Sequence, residues 1–318
     1  MRRILLFALI IGVYISCKKS STPDPTPPPP SQEDTLNGWY KQANSGIELE
    51  DVWFTDVKNG FVAGANGLYA STDSGNTWSG IAGTSGFRVF NMQFTDNLHG
   101  FVQGLSQMAV SVDGGKTWKQ KSLPTSNAFT FQFITASAGY YSDYKKGIYK
   151  TVDTGNTWKS IFTGAVTDSN FIFNFLDTSA GFVMVNANFS NTVNGGTTWN
   201  LVASNITNPS FPSYYKMQFT DSLNGYCASP QGLFKTTDGG KTWQNKLPRE
   251  TTFMVPYFLD KNNGFCLAAN TIYKTTDGGN QWTVSCQLAK DDFSGMHFLD
   301  MNTGWASTFG GLVLRLKP

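Results

Sequence analysis

An eight-residue turn sequence recurs along the chain at nearly constant spacing. Residues 236–243 read TTDGGKTW. Counting this octet, the six copies end at Trp78, Trp118, Trp158, Trp199, Trp243 and Trp282, which are 40, 40, 41, 44 and 39 residues apart. A period near 40 residues is typical of an array of supersecondary units, such as the blades of a propeller.

A second pattern keeps the same phase and occurs seven times. Its copies resemble FTDSLNGYC, and the last one is followed by GGLVLRLKP without an octet. The unit therefore reads as four short strands a to d, with the octet as the turn from c to d. Trp39 lies 39 residues before Trp78, so an N-terminal strand can complete the last unit. The sequence predicts an all-β, seven-bladed β-propeller of four-stranded blades, closed by strands from both termini.

The first residues differ from the repeat in composition. Residues 1–16 hold Arg2, Arg3 and an apolar run, which is typical of a secretion signal, and the run ends at Cys17. The segment resembles a bacterial lipoprotein signal, which implies lipidation of Cys17 and a membrane anchor in the cell envelope. Residues 17–36 are polar and proline-rich, so we expect an extended tether, with the propeller at 37–318.

The charge balance gives no reason to expect a nucleic-acid partner. Without Arg2 and Arg3 the chain has 22 basic and 22 acidic side chains, with no long basic run. We expect a monomer that binds no nucleic acid.

The octet has a structural explanation. Its carboxylate can accept backbone N–H groups of its own turn, its second glycine can take a positive φ, and its tryptophan can pack beneath the hairpin. The position is Asn194 in one copy, so an acceptor suffices. One carboxylate a turn does not make a calcium site, and we predict no metal and no cofactor. The structural positions are Asp73, Asp113, Asp153, Asn194, Asp238 and Asp277.

Strand a is expected to line the central channel. Its phenylalanines share one position, and the preceding residue points the other way. That second position forms a mostly polar ring, which either packs the inner strands by hydrogen bonds or binds a small polar ligand: Trp53, Gln93, Gln132, Asn174, Gln218, Tyr257 and His297.

The connections d-to-a and b-to-c should share one face, opposite the octets. Aromatic and basic side chains there suit recognition of a protein or a glycan, although they can also pack their own loops. The candidates are Arg88, Tyr144, Lys145, Lys146, Phe189, Phe211, Tyr214, Tyr215, Arg249 and Phe309.

Signals for catalysis are sparse. The chain has two histidines, His99 and His297, and four glutamates, and it lacks a nucleophile elbow, a phosphate-binding loop and a zinc pattern. Three cysteines fall within the repeat: Cys227, Cys266 and Cys286. The sequence allows either a disulfide between two of them, which leaves one thiol unpaired, or three buried thiols.

From about Gly38 to Pro318 the repeat resembles the photosystem II stability/assembly factor family, and its octets resemble Asp-boxes, the bacterial neuraminidase repeats. This resemblance implies a non-enzymatic scaffold at the envelope that binds a protein partner. The family is noted for an arginine-rich patch, whereas the chain after Cys17 has only Arg88, Arg249 and Arg315. Two alternatives remain: a glycan-binding surface lipoprotein, and a sialidase-like glycoside hydrolase, for which GFRVFN around Arg88 is a poor match.

Overall fold

The structure is a computed structural model that describes residues 36–42, 44–86, 88–144, 146–163, 171–185, 188–203, 216–229, 231–248 and 254–317. Within these ranges, 28 strands form seven four-stranded antiparallel sheets. The sheets are arranged as the blades of a ring, so the predicted seven-bladed β-propeller is confirmed.

Blades are numbered here from the first complete repeat, and their strands are given in the order a to d. The closing strand β1 (Trp39–Lys41) belongs to blade 7. Blade 1 consists of β2 (Leu49–Phe54), β3 (Gly60–Gly64), β4 (Gly67–Ser71) and β5 (Ser79–Gly80), and blade 2 of β6 (Asn91–Phe94), β7 (Gly100–Gln103), β8 (Gln107–Ser111) and β9 (Lys119–Ser122). Blade 3 consists of β10 (Ala128–Phe133), β11 (Gly139–Asp143), β12 (Gly147–Thr151) and β13 (Lys159–Phe162), blade 4 of β14 (Phe171–Phe175), β15 (Gly181–Val185), β16 (Asn188–Thr192) and β17 (Asn200–Val202), and blade 5 of β18 (Met217–Phe219), β19 (Gly225–Ser229), β20 (Gly232–Thr236) and β21 (Gln244–Pro248). Blade 6 consists of β22 (Met254–Phe258), β23 (Gly264–Ala268), β24 (Thr271–Thr275) and β25 (Thr283–Gln287), and blade 7 adds β26 (Phe293–Asp300), β27 (Thr303–Thr308) and β28 (Val313–Leu316) to β1.

Both ends of the chain contribute to blade 7. Strand β1 pairs antiparallel with β28, with Trp39 opposite Leu316 and Lys41 opposite Leu314. The indole of Trp39 is buried and donates a hydrogen bond to Ser285 Oγ at 3.0 Å. The predicted closure by strands from both termini is therefore confirmed.

The same aromatic arrangement holds every blade against its neighbour. The strand-a phenylalanine of a blade stacks on the strand-b aromatic ring of the preceding blade, with centroids 3.4–4.9 Å apart. It also packs nearly perpendicular, at 5.8–6.2 Å, to the tryptophan of its own blade that begins or immediately precedes strand d. The seven phenylalanines are buried as expected: Phe54, Phe94, Phe133, Phe175, Phe219, Phe258 and Phe298.

A glycine at the start of each strand b makes room for that phenylalanine. A Cβ atom added there would lie only 2.2–2.7 Å from the ring, closer than packed atoms come. These glycines are required by the packing: Gly60, Gly100, Gly139, Gly181, Gly225, Gly264 and Gly304.

Across the part of the chain that the structure describes, no helix has the length and apolar character needed to cross a membrane.

Candidate functional site

The octets form closed hydrogen-bonded turns. In the second octet, Asp113 Oδ1 accepts the N–H of Thr117 at 2.9 Å and the hydroxyl of Ser111 at 2.8 Å, while Oδ2 accepts the hydroxyl of Thr117 at 2.6 Å. The Ser111 hydroxyl oxygen accepts the N–H of Gly115 at 2.8 Å. The carboxylate therefore serves its own turn.

This geometry accounts for the low pKa of the octet carboxylates and for the asparagine that replaces the aspartate in the fourth octet. Hydrogen bonds lower the pKa of Asp73, Asp113 and Asp153 to about 2. The largest effect comes from the threonine hydroxyl, followed by the backbone N–H of the same threonine and by the serine or threonine hydroxyl two residues before the aspartate. In the fourth octet, Asn194 Oδ1 accepts the N–H of Thr198 at 2.9 Å, and its amide donates to the Thr198 hydroxyl at 2.8 Å. An amide thus reproduces the turn.

The predicted channel ring links neighbouring blades. The amide of Gln93 donates to Phe133 O and accepts Phe133 N–H, both at 2.8 Å. Gln132 and Gln218 bond the strand-a phenylalanine of the next blade in the same two-way manner. Asn174 accepts Phe219 N–H at 2.8 Å, and the Tyr257 hydroxyl donates to Phe298 O at 3.1 Å. These hydrogen bonds correspond to the first of the two roles considered for the polar ring, which is packing of the inner strands.

Blade 1 is connected by different groups. His297 Nδ1 accepts Phe54 N–H at 3.4 Å across the junction of blades 7 and 1, and its imidazole lies 4.1 Å from the Trp53 indole. Burial lowers the pKa of His297 to about 3, so the ring is neutral and can accept. Toward blade 2, Trp53 makes a ring contact with Phe94 at 6.5 Å.

Asp51 supplies the hydrogen bond at the junction of blades 1 and 2. Its Oδ2 accepts Met92 N–H at 2.9 Å and its Oδ1 accepts Val52 N–H at 2.9 Å. Burial raises the pKa of Asp51 to about 6, opposed chiefly by the positive charge of Lys216. Sequence reasoning missed Asp51, because a β-bulge between Leu49 and Asp51 shifts the register of β2.

The loop face is the surface formed by the d-to-a and b-to-c connections. The opposite surface, the turn face, carries the octets and the a-to-b turns, which are joined by bonds such as Gly114 N–H to Leu98 O at 2.9 Å. On the loop face, Val89 N–H donates to Gly64 O and Phe309 N–H to Asp292 O, at 3.2 and 3.1 Å.

Arg88 is the predicted loop-face residue with the most defined surroundings. Its guanidinium donates to Glu48 Oε1 at 3.1 Å and, through Nε, to Glu50 Oε1 at 2.7 Å. It also lies over the Phe90 ring, 5.5 Å from the centroid. These acceptors fix the orientation of a side chain that remains 44% exposed. The sequence contains both glutamates, but their pairing with Arg88 becomes visible only when strands from two blades are adjacent.

Three other candidates lie at b-to-c hairpins on the same face. Tyr144 is half-buried, Lys146 is exposed, and Phe309 is 38% exposed. Five further candidates and the lipidation site fall outside the described residues: Lys145, Phe211, Tyr214, Tyr215, Arg249 and Cys17.

Phe189 is not a loop-face residue, so that prediction is wrong. Its side chain is fully buried and packs against Phe182, Phe219 and Trp243. Phe189 occupies the strand-c position taken by Leu68 in blade 1 and by other buried apolar residues elsewhere. Alignment of strand c between blades would have placed it in the core.

Other reactive groups have structural surroundings. Cys227, Cys266 and Cys286 are buried thiols rather than disulfide partners, and burial raises the pKa of Cys227 to about 12. His99 Nδ1 lies 2.8 Å from Asp96 Oδ2 in an a-to-b turn. Among the described side chains, no group of three or more His, Cys, Asp or Glu residues is placed to hold a metal ion.

The fold and its repeated turns define an Asp-box β-propeller of seven blades. The family model described as photosynthesis system II assembly factor YCF48 matches residues 84–162 and 165–297, roughly two thirds of the chain. The chain therefore belongs to the YCF48 family.

Solved structures with the same fold include two YCF48 proteins. YCF48 bound to a D1 peptide is 20% identical with a TM-score of 0.69, and the match covers 89% of this chain and 98% of that one. YCF48 from Cyanidioschyzon merolae is 17% identical with a TM-score of 0.67, covering 88% and 99% of the two chains. The GH74 xyloglucanase from Xanthomonas campestris is 12% identical with a TM-score of 0.64, covering 86% of this chain and 52% of its own. No curated protein sequence matches the chain.

Proposed function

We propose that this protein is a non-enzymatic scaffold that holds a segment of a partner protein on its loop face. The observation that carries the proposal is the Arg88 cluster, in which Glu48, Glu50 and Phe90 orient an exposed guanidinium. An oriented arginine beside an aromatic ring is the kind of group that dominates protein interfaces. The solved structure of one YCF48 protein bound to a D1 peptide supports this proposal.

Three carboxylates at the start of blade 1 are engaged in hydrogen bonds, which favours binding over hydrolysis at this cluster. Glu48 and Glu50 both accept hydrogen bonds from Arg88, and Asp51 accepts two backbone N–H groups. A glycosidase needs two carboxyl groups free to serve as acid and as base or nucleophile. These hydrogen bonds favour recognition, and the GH74 likeness is one of fold alone.

The partner is expected at the bacterial envelope. Cys17 would carry the lipid and residues 17–36 would separate the propeller from the membrane surface. Replacing Cys17 with Ser should abolish incorporation of labelled palmitate and release the protein from the membrane fraction. Unchanged labelling would refute the anchor while leaving the scaffold proposal open to its own test.

The scaffold proposal is tested by site-specific photo-crosslinking in native envelopes. A photoreactive residue at Phe309, on the loop face, should capture one protein that is identified by mass spectrometry. The same group at Val152, a 67% exposed residue of the turn face, is the matched control and should not capture it.

The variant Arg88→Glu should then abolish capture from position 309, because it places a third carboxylate beside Glu48 and Glu50. Equal capture from both positions, or capture unaffected by Arg88→Glu, would contradict the assignment of the loop face. Retention of the purified propeller on immobilised glycans, without a protein partner, would instead favour the glycan-binding alternative.

A further inference from the structure

A polar recess lies between blades 5 and 6 on the turn face, away from the Arg88 cluster. Its volume is about 240 Å³, and its lining consists of lysine, threonine, glutamine and asparagine side chains: Lys235, Thr237, Thr242, Gln244, Lys246 and Asn280. A recess without an apolar floor suits a small charged group better than an apolar ligand.

Two ammonium groups converge on this recess. Lys235 Nζ donates to Gly278 O at 2.8 Å, and Lys246 Nζ donates to Asn280 Oδ1 at 3.0 Å. Both acceptors are neutral and belong to the octet of blade 6. An ammonium group has three donors, so each contact leaves further N–H groups for a ligand or solvent.

The two positive charges have no carboxylate in direct contact. Among the described residues, no carboxylate oxygen lies within the 4.0 Å of an ion pair with Lys235 or Lys246. Asp277, the acid that acts on Lys235 from longer range, accepts the N–H of Gln281 and the hydroxyl of Thr275 within its own turn. Asp238, beside the recess, accepts the N–H and the hydroxyl of Thr242 within its own turn, so neither of these acids is paired with a recess lysine.

Lys246 is directed toward the recess by a β-bulge. Asn245 pairs with Phe234 and Leu247 with Leu233, so Lys246 is the extra residue between them. The same bulge occurs in blades 3 and 6, where Ile161 and Ser285 are the extra residues, so it sets the direction of whichever side chain occupies this position of the repeat.

Comparison of the seven blades shows that blade 5 alone carries both lysines. The strand-c position of Lys235 is occupied elsewhere by Ala70, Val110, Lys150, Asn191, Lys274 and Arg315. The position three residues after the strand-d tryptophan, that of Lys246, is occupied elsewhere by Gln42, Ile81, Lys121, Ile161, Val202 and Ser285. Thr237, which lines the recess, is replaced by valine in blades 2, 3 and 4. The paired charge is therefore not a requirement of the blade.

We propose that this recess binds an oxyanion, a phosphate or sulfate group, carried on a small molecule or on a polymer. The ammonium groups supply charge-assisted hydrogen bonds, and Thr237 and Gln244 add neutral polar groups beside them. The site is separate from the loop face, so an oxyanion and a protein partner can bind at the same time.

The proposal is tested by titrating the full chain, with ¹³C-methylated lysines, with inorganic phosphate and separately with dextran sulfate at constant ionic strength. The NMR signals of Lys235 and Lys246 should shift together and saturate with one Kd. Saturation by phosphate alone assigns a small phosphoryl ligand, and tighter binding of dextran sulfate assigns an anionic polymer.

Three variants distinguish a built site from general attraction. Lys246→Gln should weaken binding at least about tenfold, as expected for loss of a charge-assisted hydrogen bond. Thr237→Val should also weaken it without changing the charge, because valine occupies this position in three other blades. Lys274→Gln removes the lysine that occupies the strand-c position of Lys235 in blade 6 and should leave Kd unchanged. Shifts that do not saturate, or a Kd unaffected by Lys246→Gln in a variant with native unfolding behaviour, would overturn the proposal.

Discussion

The glycines at the start of each strand b show how single residues set the blade geometry. Gly225 is buried, and a Cβ atom there would lie 2.6 Å from the Phe219 ring. Phe219 cannot move away, because Phe182 stacks on it at 3.7 Å and Trp243 packs perpendicular to it at 6.0 Å. Side chains in such close-packed surroundings transmit small volume changes as strain.

Gly225→Ala is therefore expected to lower the free energy of unfolding by about 1–3 kcal/mol through overpacking. Gly80→Ala is the matched control, since Gly80 is exposed and its added Cβ would lie 3.6 Å from Tyr69 in an ordinary contact. Urea denaturation of both variants measures the difference. Equal effects would show that the aromatic junction tolerates a methyl group.

The octet carboxylates lead to a second prediction at the residue scale. Asp113 has a folded pKa of about 2, below that of an unfolded aspartate near 4, so its stabilising contribution is present above pH 4. This contribution is lost as the pH falls toward 2, because the unfolded chain then binds the proton first.

Asp113→Asn should fold with the same turn as Asn194 and should lose less stability than wild type between pH 4 and pH 2. Asp113→Ala, which removes both acceptors, should be less stable than either at pH 7. Denaturant midpoints measured from pH 2 to pH 7 provide the test. A titration curve of Asp113→Asn identical to that of wild type would mean that this carboxylate is not hydrogen-bonded in solution.

At the scale of elements, the junctions between blades share one design with one departure. Five junctions are bridged by the amide or phenol groups of Gln93, Gln132, Asn174, Gln218 and Tyr257, which do not change charge near neutral pH. The junctions on either side of blade 1 use His297 and Asp51 instead. Blade 1 is thus the blade whose contacts respond to protons.

The two groups respond in opposite directions. His297 has its pKa lowered to about 3, so the unfolded chain is protonated first and its contribution is lost as the pH falls from 6.5 toward 3. Asp51 has its pKa raised to about 6, so its contribution is largest below pH 4 and declines as the pH rises through 6.

His297→Gln isolates the first of these effects. Glutamine occupies the same ring position in three blades and can accept Phe54 N–H, but it does not titrate. Wild type should lose on the order of 4 kcal/mol from His297 between pH 6.5 and pH 3, and the variant should lack that slope. Calorimetry across this range measures it, and an identical slope in both proteins would contradict a buried neutral imidazole.

The repeated patterns determined which features of the fold and of the candidate site could be predicted from the sequence. The octets, the seven copies of the second pattern and the position of Trp39 were sufficient to predict seven blades and the closing strand, because every copy keeps the same phase. Phe189 was misplaced because its strand was read as a loop. Asp51 and Lys246 were missed because β-bulges change side-chain direction, and no octet pattern reports a bulge.

At the scale of the whole molecule, the ring depends on pairing between residues far apart in sequence. Trp39 pairs with Leu316, so β1 can dock only after β28 is in place. Long-range pairing slows folding, because the entropy of loop closure is lost before the contacts form.

A circular permutant tests this dependence. The chain would begin at residue 44 and continue to Leu316, followed by a copy of residues 237–242 and then residues 39–42. The register supports this design, since Arg315 pairs with Tyr40 as Lys235 pairs with Gln244. The permutant should refold at least about tenfold faster with the same fold. Stopped-flow fluorescence provides the measurement, and equal rates would show that closure does not limit folding.

The position of β1 also has a mechanical consequence. Any pull applied through the residues before Leu36 reaches the propeller at β1, a strand of three residues at the outer edge of blade 7. Its hydrogen bonds to β28 and the ring of Trp39 against Phe298 would bear that load before any inner strand does. Under tension the ring would therefore open at the blade where the two chain ends meet, and the other six blades would remain intact after the first rupture.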